Sequence, residues 1–318
     1  MHVRQQYNRI MQTIYLDHNI ARYFVRGFPS NVDGSLERLS LQKCLVSNSD
    51  VRFVVSDWNL VEAARDCVHE ADPLCEVARY ADFFESLRPV FIDGHDVLER
   101  AEMRAYAYLR WSIPSTPKHQ HWMFSAEFTQ VALSRTPEVL LGFDLRIYLR
   151  HLVKTGASRA EIHQSVGVAQ EAQQTGIDAY NDGRLSDTQK QVQVLRDWFL
   201  TLLPERDSDG RWISLDRRRE LADELSRSPD EVFRRCPAIF TEDVMAEIRM
   251  MAGGRKARPQ DSFDLMHIIP ALAYCDAFVS NDGPLARQAK QVCLRTGRSV
   301  VIAPTLSDAA SKLQVGSS

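Results

Sequence analysis

Five short runs, compact and rich in β-branched and aromatic residues, fix the class of fold: TIYL (13–16), RFVVS (52–56), RPVFI (88–92), AFVS (277–280) and SVVIAP (299–304). Each has the composition of a strand buried on both faces of a parallel sheet. Amphipathic helical patterns lie between them, at about 20–24, 36–45, 57–70, 95–109, 263–274 and 285–296. Strand and helix therefore alternate as βαβ units, and right-handed crossovers bring the carboxyl ends of the strands to one edge. The expected fold is α/β, a three-layer α/β/α sandwich with a parallel central sheet.

The middle of the chain follows another rule. From about Trp111 to Gly254 the strand pattern stops, and periodic stretches such as FDLRIYLRHLVKT, DTQKQVQVLRDWFLTLLP and LDRRRELADELSR take over. The breaker-rich segments SIPSTPKHQH and AGGRKARPQ mark its edges. The expected organisation is a discontinuous core of 1–110 and 255–318 carrying an all-α insertion, 111–254. With 318 residues, 44% of them apolar, the chain is long enough for one large core or two moderate ones. No apolar run approaches the roughly 20 residues that span a bilayer, and MHVRQQYNRIMQ lacks the apolar segment of a secretory signal. The expectation is a cytoplasmic protein with no membrane partner. Six scattered cysteines, without CxxC pairs or zinc-ligand spacing, read as reduced core residues. A net charge of −3 gives no global basic field, so nucleic-acid binding would depend on a local patch.

Four acids fall where such a fold concentrates chemistry. Asp17 directly follows the first strand in IYLDHN, and Asp282 follows the fourth in FVSND. The carboxyl edge of an open α/β sheet binds ligands near the point where strand order reverses. Glu62 lies about two turns into the helix after the second strand, whose expected N-cap is Ser56. If the later helix begins at Asp261, Asp264 stands in its first turn on the same face, with His267 one turn on. Gathering Asp17, Glu62, Asp264 and Asp282 is unfavourable unless positive charge offsets it. A divalent cation is the simplest offset, and oxygen donors without His or Cys spacing favour Mg2+ or Mn2+.

Each residue also has an ordinary reading. Asp261 with Asp264 resembles an N-cap followed by an acid in the first turn, and Asp17 and Asp282 are placed to cap helices. Glu62 has Arg65 as a surface partner. His267 reads as a packed residue beside the site rather than a ligand. Ser280 and Asn281 either orient Asp282 or a metal-bound water or serve the turn, and Asn19 is a turn former first and a site residue second. Arg255, Lys256 and Arg258 form a short basic run just ahead of Asp261, suited to phosphate-backbone contacts or to plain solvation.

Taken together, YLDHN, SDWNLVEAAR, Asp264 opening a helix and FVSND after the next strand resemble the PIN-domain nucleases. RPVFIDGHDVLERAEMRAYAYL is similar to the strand and helix which that family places before its third acid. The resemblance covers about 1–110 and 255–318 and leaves out the insertion. It implies a metal-dependent endoribonuclease in which Asp17, Asp264 and Asp282 hold Mg2+ or Mn2+, and Glu62 ligates or positions a second ion or the attacking water. It implies RNA as substrate and products with a 5′-phosphate and a 3′-hydroxyl, and leaves a toxin, a defence effector or RNA processing as the biological role. The insertion would serve as a clamp, a lid or a docking surface for a partner protein. The alternative is a PIN-like module that binds RNA or protein without cutting. A phosphohydrolase with an aspartyl nucleophile is disfavoured by Asn19, where that chemistry wants a second acid. No GxGxxG follows the first strand, which argues against dinucleotide binding.

Overall fold

The structure, a computed structural model, describes residues 12–46, 51–111, 144–155, 174–175, 178, 188–207, 210–251 and 259–313. The first half runs β1 (Gln12–Leu16), α1 (His18–Arg26), α2 (Gly34–Val46), β2 (Val51–Ser56), α3 (Asp57–Val68), α4 (Pro73–Ser86), β3 (Val90–Ile92) and α5 (His95–Trp111). The described helices that follow are α6 (Leu145–Thr155), α7 (Thr188–Leu202), α8 (Leu215–Arg227), α9 (Pro229–Arg235) and α10 (Pro237–Met251). The chain then forms α11 (Pro259–Tyr274), β4 (Ala277–Val279), α12 (Gly283–Thr296), β5 (Val301–Ala303) and α13 (Leu306–Lys312).

The five strands form one sheet in the order β3-β2-β1-β4-β5, parallel throughout. From β1 to β3 the chain adds strands in one direction, then crosses back to place β4 on the far side of β1. Right-handed crossovers require the covering helices to change face when the direction reverses. They do. Ile14, Leu16, Phe53, Val55, Ala277 and Val279 pack with Ile20, Leu60, Ala63, Tyr80 and Phe84 from α1, α3 and α4. Their strand neighbours Tyr15, Val54, Ile92, Phe278 and Ile302 pack on the other face with Leu98, Met245, Ile268, Leu272, Leu285 and Val292. Successive strand residues are thus buried on alternate faces, which is why the strands show no apolar–polar alternation. The result is the α/β three-layer sandwich.

Helices from the stretch 111–254 divide among three cores. α6 packs against α3 and α4, with Leu149 fully buried in the core of that face. α10 lies against α11 and α12 and gives Val244, Met245 and Ile248 to the opposite face. α7, α8 and α9 gather around Phe199, Leu221 and Val232 with Met103 and Tyr106 of α5. All six cysteines are free, and only Cys75 is exposed. No helix among the described residues is long and apolar enough to cross a membrane.

Candidate active site

β1 and β4 are the strands at which the order reverses, and their last residues, Leu16 and Val279, are register partners. One residue on, the backbone N–H of Asp17 donates to the Val279 carbonyl at 2.9 Å, fixing the acid in the crevice between the strands. Its side chain is 3% exposed. Asp17 occupies the N-cap position of α1, yet its side chain makes no capping bond. Instead Asp17 Oδ2 accepts from Ser280 Oγ at 2.8 Å and from Asn19 Nδ2 at 3.5 Å.

Glu62 is placed by the start of α3. Ser56 and Asn59 form a reciprocal capping box, and the Asn59 amide also donates to the Leu16 carbonyl at 3.0 Å. The helix is thereby tied to the end of β1, and Glu62 follows one turn later. His267, 2% exposed on α11, reaches Glu62 Oε2 through Nε2 at 2.8 Å. Its Nδ1 lies 2.7 Å from the Tyr15 hydroxyl, which is itself 2.7 Å from Ser56 Oγ. Asp17, Glu62 and His267 each present a donor atom within 4.8 Å of the other two.

The remaining predicted residues are less alike. α11 begins at Pro259, two residues before Asp261, so Asp264 stands in the second turn rather than the first. Proline is at home in the opening turn of a helix because its missing N–H has no partner there. Asp264 lines the cleft one turn before His267 and pairs with Arg249 of α10 at 3.8 Å. Asp282 also lines the cleft, while its Oδ1 accepts from Leu285 N–H at 2.8 Å and caps α12. Its ordinary reading as a helix cap is therefore met. Ser280 is buried and orients Asp17, whereas Asn281 is exposed and donates to the Tyr23 hydroxyl. The Asp261 side chain and Arg255, Lys256 and Arg258 lie outside the described residues.

Burial raises the Asp17 carboxyl above its ordinary value, and Glu62 adds to this, while His267 and Ser280 act against it. Burial also acts to raise Glu62, but the charge and hydrogen bond of His267 outweigh it and leave that carboxyl lowered. For His267, burial favours the neutral ring, yet Glu62, then Asp17 and Asp264, push it up to about 9. A protonated ring would donate from both nitrogens, to Glu62 and to the Tyr15 oxygen, and the phenol would then donate to Ser56. His267 and Arg249 thus offset part of the acidic charge from within the protein.

The donor set suits a hard divalent cation. Asp17 offers a carboxylate not spent on a helix cap, Glu62 a second, and the cleft around them is polar. That cleft has a volume of about 280 Å³. It is lined by all four predicted acids and also by His18, Arg22, Arg65, Asp66 and His69. Leu285 is its one apolar lining residue. His18, Arg22, Arg65, Asp66 and His69 are absent from the predicted site, although the spacing 62, 65, 66, 69 along α3 carries part of their signal. Comparison of the chain with family models, curated proteins and solved structures found no match.

Proposed function

We propose that the protein is a metal-dependent endoribonuclease, with Asp17 and Glu62 holding Mg2+ or Mn2+ at the reversal point of the sheet. The observation that carries this reading is the convergence of Asp17, Glu62 and His267, from three different elements, on donor atoms within 4.8 Å of one another. A cation bound there would supply a water acidic enough to attack at neutral pH and would neutralise charge on the phosphate. The protein's own residues do the positioning. Ser280 and Asn19 fix the Asp17 carboxylate, His267 fixes that of Glu62, and Tyr15 with Ser56 holds the imidazole in place. Asp264 and Asp282 extend the acidic lining. A polar, open cleft admits an exposed sugar–phosphate backbone, which favours single-stranded or looped RNA. By the PIN-domain resemblance the products carry a 5′-phosphate, and the role is that of a toxin or defence effector in the cytoplasm, with the 111–254 helices as the surface for a partner protein.

The test is cleavage of a labelled single-stranded RNA in Mn2+ by wild type, Asp17→Asn and Glu62→Gln, with thermal unfolding run in parallel. Cutting by wild type, lost in both variants at unchanged fold, is the expected result. An RNA left intact by wild type at every Mg2+ and Mn2+ concentration refutes it. One observation favours a module that binds RNA or protein without cutting: the acids already have partners within the chain. Glu62 has His267, Asp264 has Arg249, Asp282 has the α12 backbone and Asp17 has Ser280. RNA retained but uncut would select that reading.

A further inference from the structure

We infer that the stripe of the cleft that runs on from the acids, carrying Arg22, Arg65 and His69, is a track for the phosphates that flank the bond to be cut. The inference rests on the nuclease reading. Glu62, Arg65, Asp66 and His69 follow one another at helical spacing along a single face of α3, and all line the cleft. His69 is the C-cap of that helix. From Glu62 the rise along the axis is about 4.5 Å to Arg65 and about 10 Å to His69. Successive phosphates of a stacked strand are about 3.4 Å apart along its axis. A strand with one phosphate at the acids therefore has the next few opposite this stripe.

Arg22 joins the stripe from α1, where His18, Asn19 and Arg22 share a face and line the same cleft. Asp66 aligns the two helices. It takes His18 Nε2 at 3.2 Å, the Tyr80 hydroxyl at 2.9 Å and Arg22 Nε at 3.5 Å. Arg22, Arg65 and His69 are all exposed on the rim, where a bound strand reaches them without displacing the core. The charge pattern also selects the ligand. A lone phosphate meets an acidic end and a basic stripe of opposing effect. A chain of phosphates spans both, with the scissile group at the acids and its neighbours on the arginines. The ligand class is thus an oligonucleotide rather than a mononucleotide.

The experiment is a fluorescence-anisotropy titration of a labelled oligouridylate in EDTA, which stops hydrolysis, over a series of salt concentrations. Wild type is compared with Arg22→Gln/Arg65→Gln and with Arg65→Gln alone, the single variant leaving the Arg22–Asp66 pair intact. Affinity is expected to fall on the order of tenfold in the double variant, with the slope of log K against log salt shallower by about 0.7 for each arginine removed. Wild-type affinity and slope in both variants, or a wild type that does not bind, overturns the track. If wild type cuts RNA in Mn2+ and both variants bind and cut as it does, the track fails and the nuclease reading stands. If the slope falls as expected but wild type never cuts, the track stands and the nuclease reading fails.

Discussion

Acids withdrawn from solvent are held in two ways among the described residues, by the backbone donors of a helix start or by side chains lining a cleft. Glu102 of α5 is 1% exposed and accepts from Ala238 N–H at 2.9 Å and 3.1 Å, from Ile239 N–H at 3.1 Å and from the Tyr274 hydroxyl. It caps α10 from another helix, satisfying backbone donors that have no partner within their own turn. Glu37 does the same for α13, accepting from Leu306 N–H at 2.8 Å and Ser307 N–H at 3.1 Å. Burial pushes the Glu102 carboxyl up to about 7, against the pull of those donors. Asp17 and Glu62 are bound differently, by the side chains of Ser280, Asn19 and His267, and they face a cleft. A displaced pKa alone therefore does not mark a functional acid. What sets Asp17 and Glu62 apart is that their partners are side chains and that both line an open cleft.

The largest expected effect is on the cleft. Asp17→Asn should lower RNA cleavage on the order of 10³-fold, the loss of several kcal/mol of transition-state stabilisation. Because the folded carboxyl is raised, removing its charge should leave the thermal midpoint at neutral pH unchanged or higher. A large drop in stability would place Asp17 in the same class as Glu102. The mirror experiment is Glu102→Ala, which strands the Ala238 and Ile239 donors and should cost about 3 kcal/mol in urea unfolding. Cleavage per folded molecule should not change, and its loss would break the contrast.

Tyr15→Phe probes the support behind the cleft. Without the hydroxyl, His267 loses the partner that fixes its ring, and Mn2+ affinity should weaken about tenfold or more, read by calorimetry. An unchanged affinity would show that His267 holds Glu62 in place without the Tyr15 hydroxyl.

The smallest effect is in pH. His267 is raised from 6.5 to about 9, so its contribution to stability is complete below pH 6.5 and lost as pH climbs through 9. Glu102 is raised from 4.5 to about 7, so the protonated form is favoured in the fold and that contribution is lost between those values. Glu62 is lowered, and its contribution is present above 4.5 and lost only as pH falls through its folded value. A thermal midpoint that declines between pH 7 and 9 in wild type, but not in His267→Gln, would assign the alkaline limb to the cleft.

Much of this was open to sequence because the sheet is covered on both sides. TIYL, RFVVS and AFVS are apolar at nearly every position, and strands of that kind stand out. Asp17 and Glu62 are legible from their distance to those strands. α4 is absent from the expected helices although Asp72 caps it, Pro73 opens it and Val77, Tyr80, Ala81 and Phe84 give it an apolar face. The Gly-Gly and proline of AGGRKARPQ obscure the start of α11, because a proline that ends one helix equally begins another. The pairing of His267 with Glu62 is beyond sequence, since the two lie 205 residues apart. The caps supplied by Glu37 and Glu102 are likewise tertiary, with nothing local to announce them.

The hydrogen bond from Ser280 to Asp17 joins residues 263 positions apart. During synthesis Asp17 leaves the ribosome early and waits, without Ser280, His267 or the β4 backbone, until nearly the whole of the described chain has followed. Asp17, Glu62 and His267 therefore cannot come together before α11 has been made, about 250 residues after the first of them.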